Sequence, residues 1–529
     1  MTASHPNPSQ EPYRRRWQAL VVLAVSLLVV SLDNTILNVA LPTIREELDA
    51  TSSELQWIVD SYMLVFAGLL LAFGALGDRF GRRRALFAGL GIFGLGSVLA
   101  ATSGGSGELI ASRALMGVGA AAIMPTTLSI ITNIFPAEER PRAIAIWAAT
   151  AGMGVAVGPV TGGWLIENMH WSGIFLVNLP VVAFALIAGR ILIPESRDPA
   201  SPPLDLPGLG LSISGLTAIV WALIEAPESG WTSPVILTAF AAGAAILAAF
   251  AAWELRASHP MLDVSVFRNL RFSAASVSIT FVFFALMGVL YFLTTYLQSL
   301  MGYSALEAGV RMVPIAAGLI LASRLSVLIV GRFGTKAAVG GGLAVIAFAL
   351  GAFTSVTVET EYWWKVGSAL ALMGFGMGLA MAPATEAIMG SLPKAKAGVG
   401  SAMNDVVREV GGTLGVAVLG SIVSTRYASG VDEATAGLPH AAAEAASDGV
   451  AGAHEVGAQI GGSAGAKLVA IADQSFVEAV TMAATVAAGA AVLGALLAVA
   501  FLPSRAREED PAAETDRERE RDVLEPVPA

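Results

Sequence analysis

Along this chain, apolar runs of roughly 20 residues alternate with short charged or turn-rich stretches, and that is the length at which a helix crosses a bilayer. Six such runs come first: Trp17 to Ala40, Gln56 to Leu76, Ala85 to Ala101, Leu109 to Ile131, Ala143 to Leu165 and Ile174 to Ile193. Two more follow, Leu206 to Ile224 and Pro234 to Trp253. A last six are Phe272 to Leu297, Val310 to Val330, Ala337 to Val356, Val366 to Met389, Asp405 to Val423 and Phe476 to Leu502. Two soluble domains of the same total length would need amphipathic helices, with one polar face each, and the runs lack that pattern. The expectation is an all-α integral membrane protein with fourteen transmembrane helices.

Basic residues give an independent reading of orientation, because cytoplasmic loops near span ends carry an excess of Lys and Arg. With the first residues inside, the segments on that side hold twenty of them, including Arg14 to Arg16, Arg79 to Arg84, Lys394 and Lys396. The opposite side holds four: Arg45, Lys365, Arg426 and Lys467. An odd number of spans would destroy the asymmetry, so both termini are expected in the cytoplasm and the chain in the cell membrane. The run after Arg14 to Arg16 is longer than a signal-peptide core and reads as a retained first span. Residues 427–473, rich in Ala, Gly, Asp and Glu, become one long, weakly structured outside loop. The last residues, from Arg505 to Ala529, hold nine acids and five bases and read as a disordered tail.

Composition narrows the chemistry. The chain is 55% hydrophobic and 14% charged, against roughly a quarter charged in soluble domains. It has no cysteine, which excludes disulfides, thiolate metal sites and cysteine nucleophiles, and its five histidines lack metal-ligand spacing. No phosphate-binding G-x-x-x-x-G-K-[ST] loop occurs, which disfavours ATP as a direct energy source. No serine, histidine or metal constellation suggests a membrane enzyme, and no cofactor, metal or nucleic acid is expected.

Five strings carry more specific information. Between spans two and three stands Gly74-Ala75-Leu76-Gly77-Asp78-Arg79-Phe80-Gly81-Arg82-Arg83-Arg84. Arginines anchor a membrane face and Gly81 permits a backbone turn. They do not explain Asp78, an acid among bases that suggests a paired charge holding two helix ends together. Span four contains Arg113-Ala114-Leu115-Met116-Gly117-Val118-Gly119. In span five Gly154, Gly158 and Gly162 recur every four residues on one face where a neighbour can approach closely, with Pro159 kinking the helix and Gly163 beside it. Span one contains Leu32-Asp33-Asn34-Thr35-Ile36-Leu37-Asn38-Val39-Ala40-Leu41-Pro42-Thr43-Ile44, and span six opens on Ile174-Phe175-Leu176-Val177-Asn178-Leu179-Pro180.

In that order these strings resemble the loop, span-four, antiporter, span-one and span-six signatures of the major facilitator superfamily, in its fourteen-helix drug:proton antiporter branch of the EmrB/QacA type. The resemblance implies the major facilitator fold: two six-helix bundles of inverted repeats with a cavity at their interface, plus two extra helices. The implied organisation is a cytoplasmic N-terminus over 1–16, a first bundle over 17–193, the extra pair over 206–253, a second bundle over 272–502 containing the loop 427–473, and a tail over 503–529. The implied function is export of amphipathic, cationic drugs or antibiotics in exchange for protons, by a monomer whose partners are those substrates, protons and lipid. Export of one endogenous metabolite, or uptake by symport, are the alternatives.

Ionisable residues inside spans cost roughly 2.5 to 3.5 kcal/mol each on insertion and so need a reason. Asp33 lies roughly 24 Å along span one at 1.5 Å per residue, and Arg113 lies at a similar depth on span four. Together they form the sharpest candidate for proton coupling or substrate binding. Asp60 sits toward the outer side of span two. Asp405 and Glu409 are spaced i, i+4 with Arg408 beside them, at the expected start of span thirteen, where a helix dipole alone would favour acids. Glu386, three residues after Pro383, is expected deeper in span twelve.

Overall fold

The computed structural model describes residues 14–198 and 203–503, so the expectations for the N-terminal residues before 14 and for the tail after 503 lie outside the described residues. The chain folds into long helices: α1 (Arg16–Glu47), α2 (Ser52–Phe80), α3 (Arg82–Ala101), α4 (Ser106–Ile134), α5 (Arg140–Asn168), α6 (Asn178–Leu192), α7 (Leu206–Ser229) and α8 (Pro234–Glu254). After them come α9 (Leu270–Thr295), α10 (Ala305–Phe333), α11 (Thr335–Phe353), α12 (Ser368–Met389) and α13 (Ala397–Thr435). Two short helices, α14 (His440–Asp448) and α15 (Val450–Ile460), lead into α16 (Gly462–Phe501).

Among the described residues, thirteen helices are long and apolar enough to cross a membrane. The glycine-rich α5, at 29 residues, exceeds the roughly 20 that a crossing needs. Local chemistry fixes several ends. Thr51 and Ser304 form reciprocal capping boxes with Glu54 and Glu307 at the starts of α2 and α10. Gly81 and Gly334, at φ 115° and 86°, make the tight turns after α2 and α10, conformations that a side chain resists. Helices α1 to α6 pack chiefly on one another, as do α9 to α13 with α16, and the two groups meet through α2 and α4 on α13 and through α5 on α10 and α12.

The segment 427–473 differs from its expectation as a weakly structured loop. Helix α13 runs on to Thr435 and α16 begins at Gly462, so nearly all of the segment is helical. At 39 residues, α13 is about 58 Å long at 1.5 Å per residue, about twice the hydrocarbon thickness. Its extension buries Tyr427 and Val431 together with Ala446, Val450 and Ala453 of the short helices. The Tyr427 hydroxyl donates to the Ala446 carbonyl at 2.9 Å, and His454 Nε2 lies 2.6 Å from Asp473 Oδ1. Its composition concealed this packing because alanines and glycines pack closely while adding little to an apolar run.

Candidate functional site

The first constellation brings together α1, α2, α3, α4 and α6. Arg113 Nη1 on α4 meets Asp33 Oδ2 on α1 at 2.5 Å, and both side chains are almost fully buried, at 1% and 2% exposure. Arg113 Nε donates to the Ile58 carbonyl at 3.2 Å, and its guanidinium stacks 4.3 Å from the centre of the Tyr62 ring. Asn178 Nδ2 donates to the other Asp33 oxygen, Oδ1, at 3.0 Å and to Ser97 Oγ at 3.2 Å. Away from water an unpaired charge is costly, and here each carboxylate oxygen has a donor. The pairing expected from matched depth is present, and Asn178 and Ser97 complete it. The sequence carried a signal for Asn178, an amide set in the apolar Phe-Leu-Val-Asn-Leu-Pro string, but no local signal for Ser97. Asp60 is half-buried on α2, two residues before Tyr62.

A second constellation lies on α13. The expected helix start at Asp405 is eight residues late, because α13 begins at Ala397. The acids therefore sit two turns inside the helix, where the dipole argument does not reach. The small residues Ala397, Gly398, Gly400, Ser401 and Ala402 hid the true start, being too weakly apolar to mark a span. Asp405 is 1% exposed. Its Oδ1 accepts from Asn404 Nδ2 at 3.3 Å and stands 3.6 Å from Arg408 Nη1. Asn404 Oδ1 in turn accepts from the Thr385 hydroxyl of α12 at 3.1 Å. Arg408 lies over Trp147 of α5 at 5.1 Å and Phe283 of α9 at 4.7 Å. Glu409 is half-buried, and Tyr62 lies within electrostatic reach of Asp33, Arg113 and Glu409 together.

The Asp78 string ties the two groups of helices at one end. Arg82 Nε and Nη2 donate to Asp78 Oδ1 at 2.8 and 2.6 Å, and Arg82 Nη2 also donates to the Ala395 carbonyl at 2.9 Å. The same carboxylate accepts the backbone N–H groups of Gly398 at 2.9 Å and Val399 at 3.1 Å. An acid of α2 thus caps the first turn of α13, where free N–H groups and the dipole both favour an anion. Close approach makes this possible: a Cβ on Gly74 would come within 2.7 Å of the Gly398 carbonyl. Arg79 stacks on Phe80 at 5.5 Å, and Glu195 accepts from the Arg83 N–H at 3.0 Å after the Gly81 turn.

Glu386 belongs to this end too. It is four residues from the close of α12 at Gly390 and lies 3.8 Å from Arg140, which opens α5. Helix α12 ends at Met389, where the sequence places the end of the span; the deeper position expected for Glu386 is corrected by its contact with Arg140 at the Arg82 end. Arg140 supplies its partner.

The glycine face of α5 packs on α1, as its four-residue spacing requires. A Cβ on Gly154 would overlap Ser31, and one on Gly158 would overlap Thr35; one on Gly162 would lie 3.2 Å from the Ile36 carbonyl. Thr35 Oγ1 donates to the Gly154 carbonyl at 3.1 Å. On its other side α5 meets α10: a Cβ on Gly163 would stand 3.3 Å from Leu306 Cα, and one on Gly309 2.9 Å from Pro159 Cβ. Helix α5 is therefore wedged between one helix of each group.

Comparison with known proteins decides the family. The Major Facilitator Superfamily model matches residues 23–416. The chain belongs to the major facilitator superfamily. Among relatives, the chain is 36% identical over 498 residues to the multidrug efflux pump LfrA of Mycolicibacterium smegmatis, covering 92% of this chain and 97% of that protein. It is 31% identical over 513 residues to the tetracenomycin C resistance and export protein of Streptomyces glaucescens, covering 94% of each. The human organic anion transporter MFSD10 superposes with a TM-score of 0.58 at 16% identity, over 92% of this chain and all of that one, a likeness of fold alone. The major facilitator fold therefore accounts for the two groups of six helices, with α7 and α8 as the additional pair.

Proposed function

We propose that this chain exports amphipathic, cationic drugs or antibiotics across the cytoplasmic membrane in exchange for protons, acting as a monomeric transporter rather than an enzyme and needing no cofactor. The relatives named for multidrug efflux and for antibiotic resistance and export support the substrate class. The observation that carries the coupling is the dry Asp33–Arg113 pair held by Asn178. A carboxylate in such a place answers to two influences, the cation beside it and the exclusion of water, and both change when the helices part. Rocking of the two bundles about the cavity would alternate these influences, with the Asp78 and Glu386 contacts holding one end closed in one state and released in the other. Asp405, Glu409 and Asp60 are the further carboxylates available to a proton or to a cationic substrate. The excess of Lys and Arg around Arg82 supports placing that end, and both termini, in the cytoplasm.

The test is flux in proteoliposomes containing only the purified chain. An imposed proton gradient, acid on the outer face, should drive a cationic dye out against its own gradient, and a protonophore should abolish the movement. Dye movement unaffected by the gradient would overturn the coupling. A panel of substrates in a pump-deficient host separates broad efflux from the export of one endogenous compound; a relative named for a single compound, tetracenomycin C, is the observation that keeps a narrow substrate range in view.

A further inference from the structure

Two of the buried arginines, Arg113 and Arg408, are held in opposite ways. Arg113 is locked by a 2.5 Å ion pair, a carbonyl and an aromatic face. Arg408 is loosely held. Its Nη1 is buried and makes no hydrogen bond, its nearest carboxylate oxygen stands at 3.6 Å, and Asp405 Oδ2, also buried, makes no hydrogen bond either. What surrounds the Arg408 guanidinium is a set of groups that binds flat cations: the rings of Trp147 and Phe283 at 5.1 and 4.7 Å, the Asp405 carboxylate, and Glu409 within electrostatic reach. A buried anion with an unused oxygen attracts a cation, and aromatic faces add cation–π attraction that grows as water is excluded. Trp147 belongs to the first bundle, whereas Phe283 and Asp405 belong to the second, so the cage spans the interface where the fold places its cavity. Trp147 is itself fixed, its indole N–H donating to Thr127 Oγ1 at 3.1 Å.

We propose that the Arg408 guanidinium is a resident surrogate for the substrate's cation: it fills a cage, walled by Trp147 and Phe283 and backed by Asp405 and Glu409, that a flat aromatic monocation enters by displacing it. The inference rests on the export reading above and names the site and shape of its substrate. Guanidinium suits the role because it is planar, always charged, weakly hydrated and mounted on a flexible stem. In the empty protein its single charge is paired with Asp405. On substrate entry it swings away from Trp147, so that binding breaks a contact between the two bundles. The cage favours delocalised, planar cations over compact, strongly hydrated ammonium groups for the same reason that it holds an arginine.

The test measures equilibrium binding of ethidium to the full-length protein in lipid nanodiscs. Removing the surrogate by Arg408→Gln should tighten the Kd about tenfold, the order of one desolvated cation–π contact and one freed carboxylate. Arg408→Lys, whose point charge stacks less well, should tighten it about threefold. Trp147→Leu should weaken binding by a larger factor in the Arg408→Gln background than in the wild type, because only there does ethidium hold the ring unopposed. An unchanged or weaker Kd in folded Arg408→Gln overturns the proposal; if that variant does not fold, the same result in Arg408→Lys does so. Vesicles separate this from the export reading. Wild-type protein that pumps ethidium, with variants that bind it no tighter, sinks the surrogate alone. Variants that bind tighter, in a protein that pumps no cation, sustain the surrogate and sink the export reading.

Discussion

The backbone N–H of Gly398 donates to the carboxylate of Asp78 at 2.9 Å, so that the first turn of α13 is capped by a side chain from the other bundle. A charge at a helix N-terminus contributes about 1 kcal/mol, and a shift of that size moves a two-state balance by about fivefold. Asp78→Asn keeps the shape but loses the charge, and should open this end. A cysteine at Ser401, which is fully buried, should then react with maleimide about fivefold faster than in the parent. An unchanged rate would deny the contact a role in closure.

Asp33→Asn should lower both transport and stability, since it leaves Arg113 buried without its counter-charge; breaking such a pair costs about 3 to 5 kcal/mol. The informative variant is the double one. Asp33→Asn with Arg113→Gln removes both charges and should recover most of the lost thermal stability while efflux per unit of membrane protein stays near zero. Wild-type efflux with unchanged proton dependence in Asp33→Asn would exclude this pair from coupling.

How much of this was legible in the sequence follows from which interactions are local. Thirteen of the long helices among the described residues announce themselves because apolar length is a property of the chain itself. The glycine face of α5 was equally readable, being a spacing, although its partner α1 was not. Asp33 and Arg113 could be matched by depth along their helices. Arg408 could be seen beside Asp405, but its stacking on Trp147, 261 positions earlier, depends on how the bundles meet. The same is true of Arg140 with Glu386 and of Asp78 with α13, whose partners no local pattern encodes. Where residues are small, the sequence understated the structure: α13 starts earlier, and continues further, than its apolar content suggests.

Gly158→Ala should be strongly impaired, since its new methyl would overlap Thr35; overpacking of this kind costs about 1 to 3 kcal/mol. Thr35→Gly on the other helix should restore folding and part of the transport, whereas the distant Thr102→Gly should not. Thermal unfolding of the purified variants reads the first effect and dye efflux the second. Equal stability of Gly158→Ala and the parent would show that α5 has room to shift.

Charge exchange tests the second contact at the Arg82 end. Arg140→Glu should place two acids together and reduce transport, and adding Glu386→Arg should recover at least half of it. No recovery in a double variant of normal abundance would assign Glu386 a task other than pairing with Arg140.

The absence of native cysteine makes sidedness directly measurable. Single cysteines replacing Glu359 and His454 should label with an impermeant maleimide in intact cells, and one replacing Lys394 only after the membrane is breached. Labelling of residue 454 only after breaching would invert the orientation.

The additional helix pair touches both bundles. Thr217 of α7 sets its hydroxyl against Gly68 of α2, in a space that a Cβ there would fill, while the Trp231 indole, just beyond the end of α7, donates to Ser421 of α13 at 2.9 Å. Helix α7 packs more extensively on α2 than on α13. The hairpin is thus a strap laid along the first bundle and buttoned to the second, and any movement that parts α2 from α13 has to slide the one contact or undo the other.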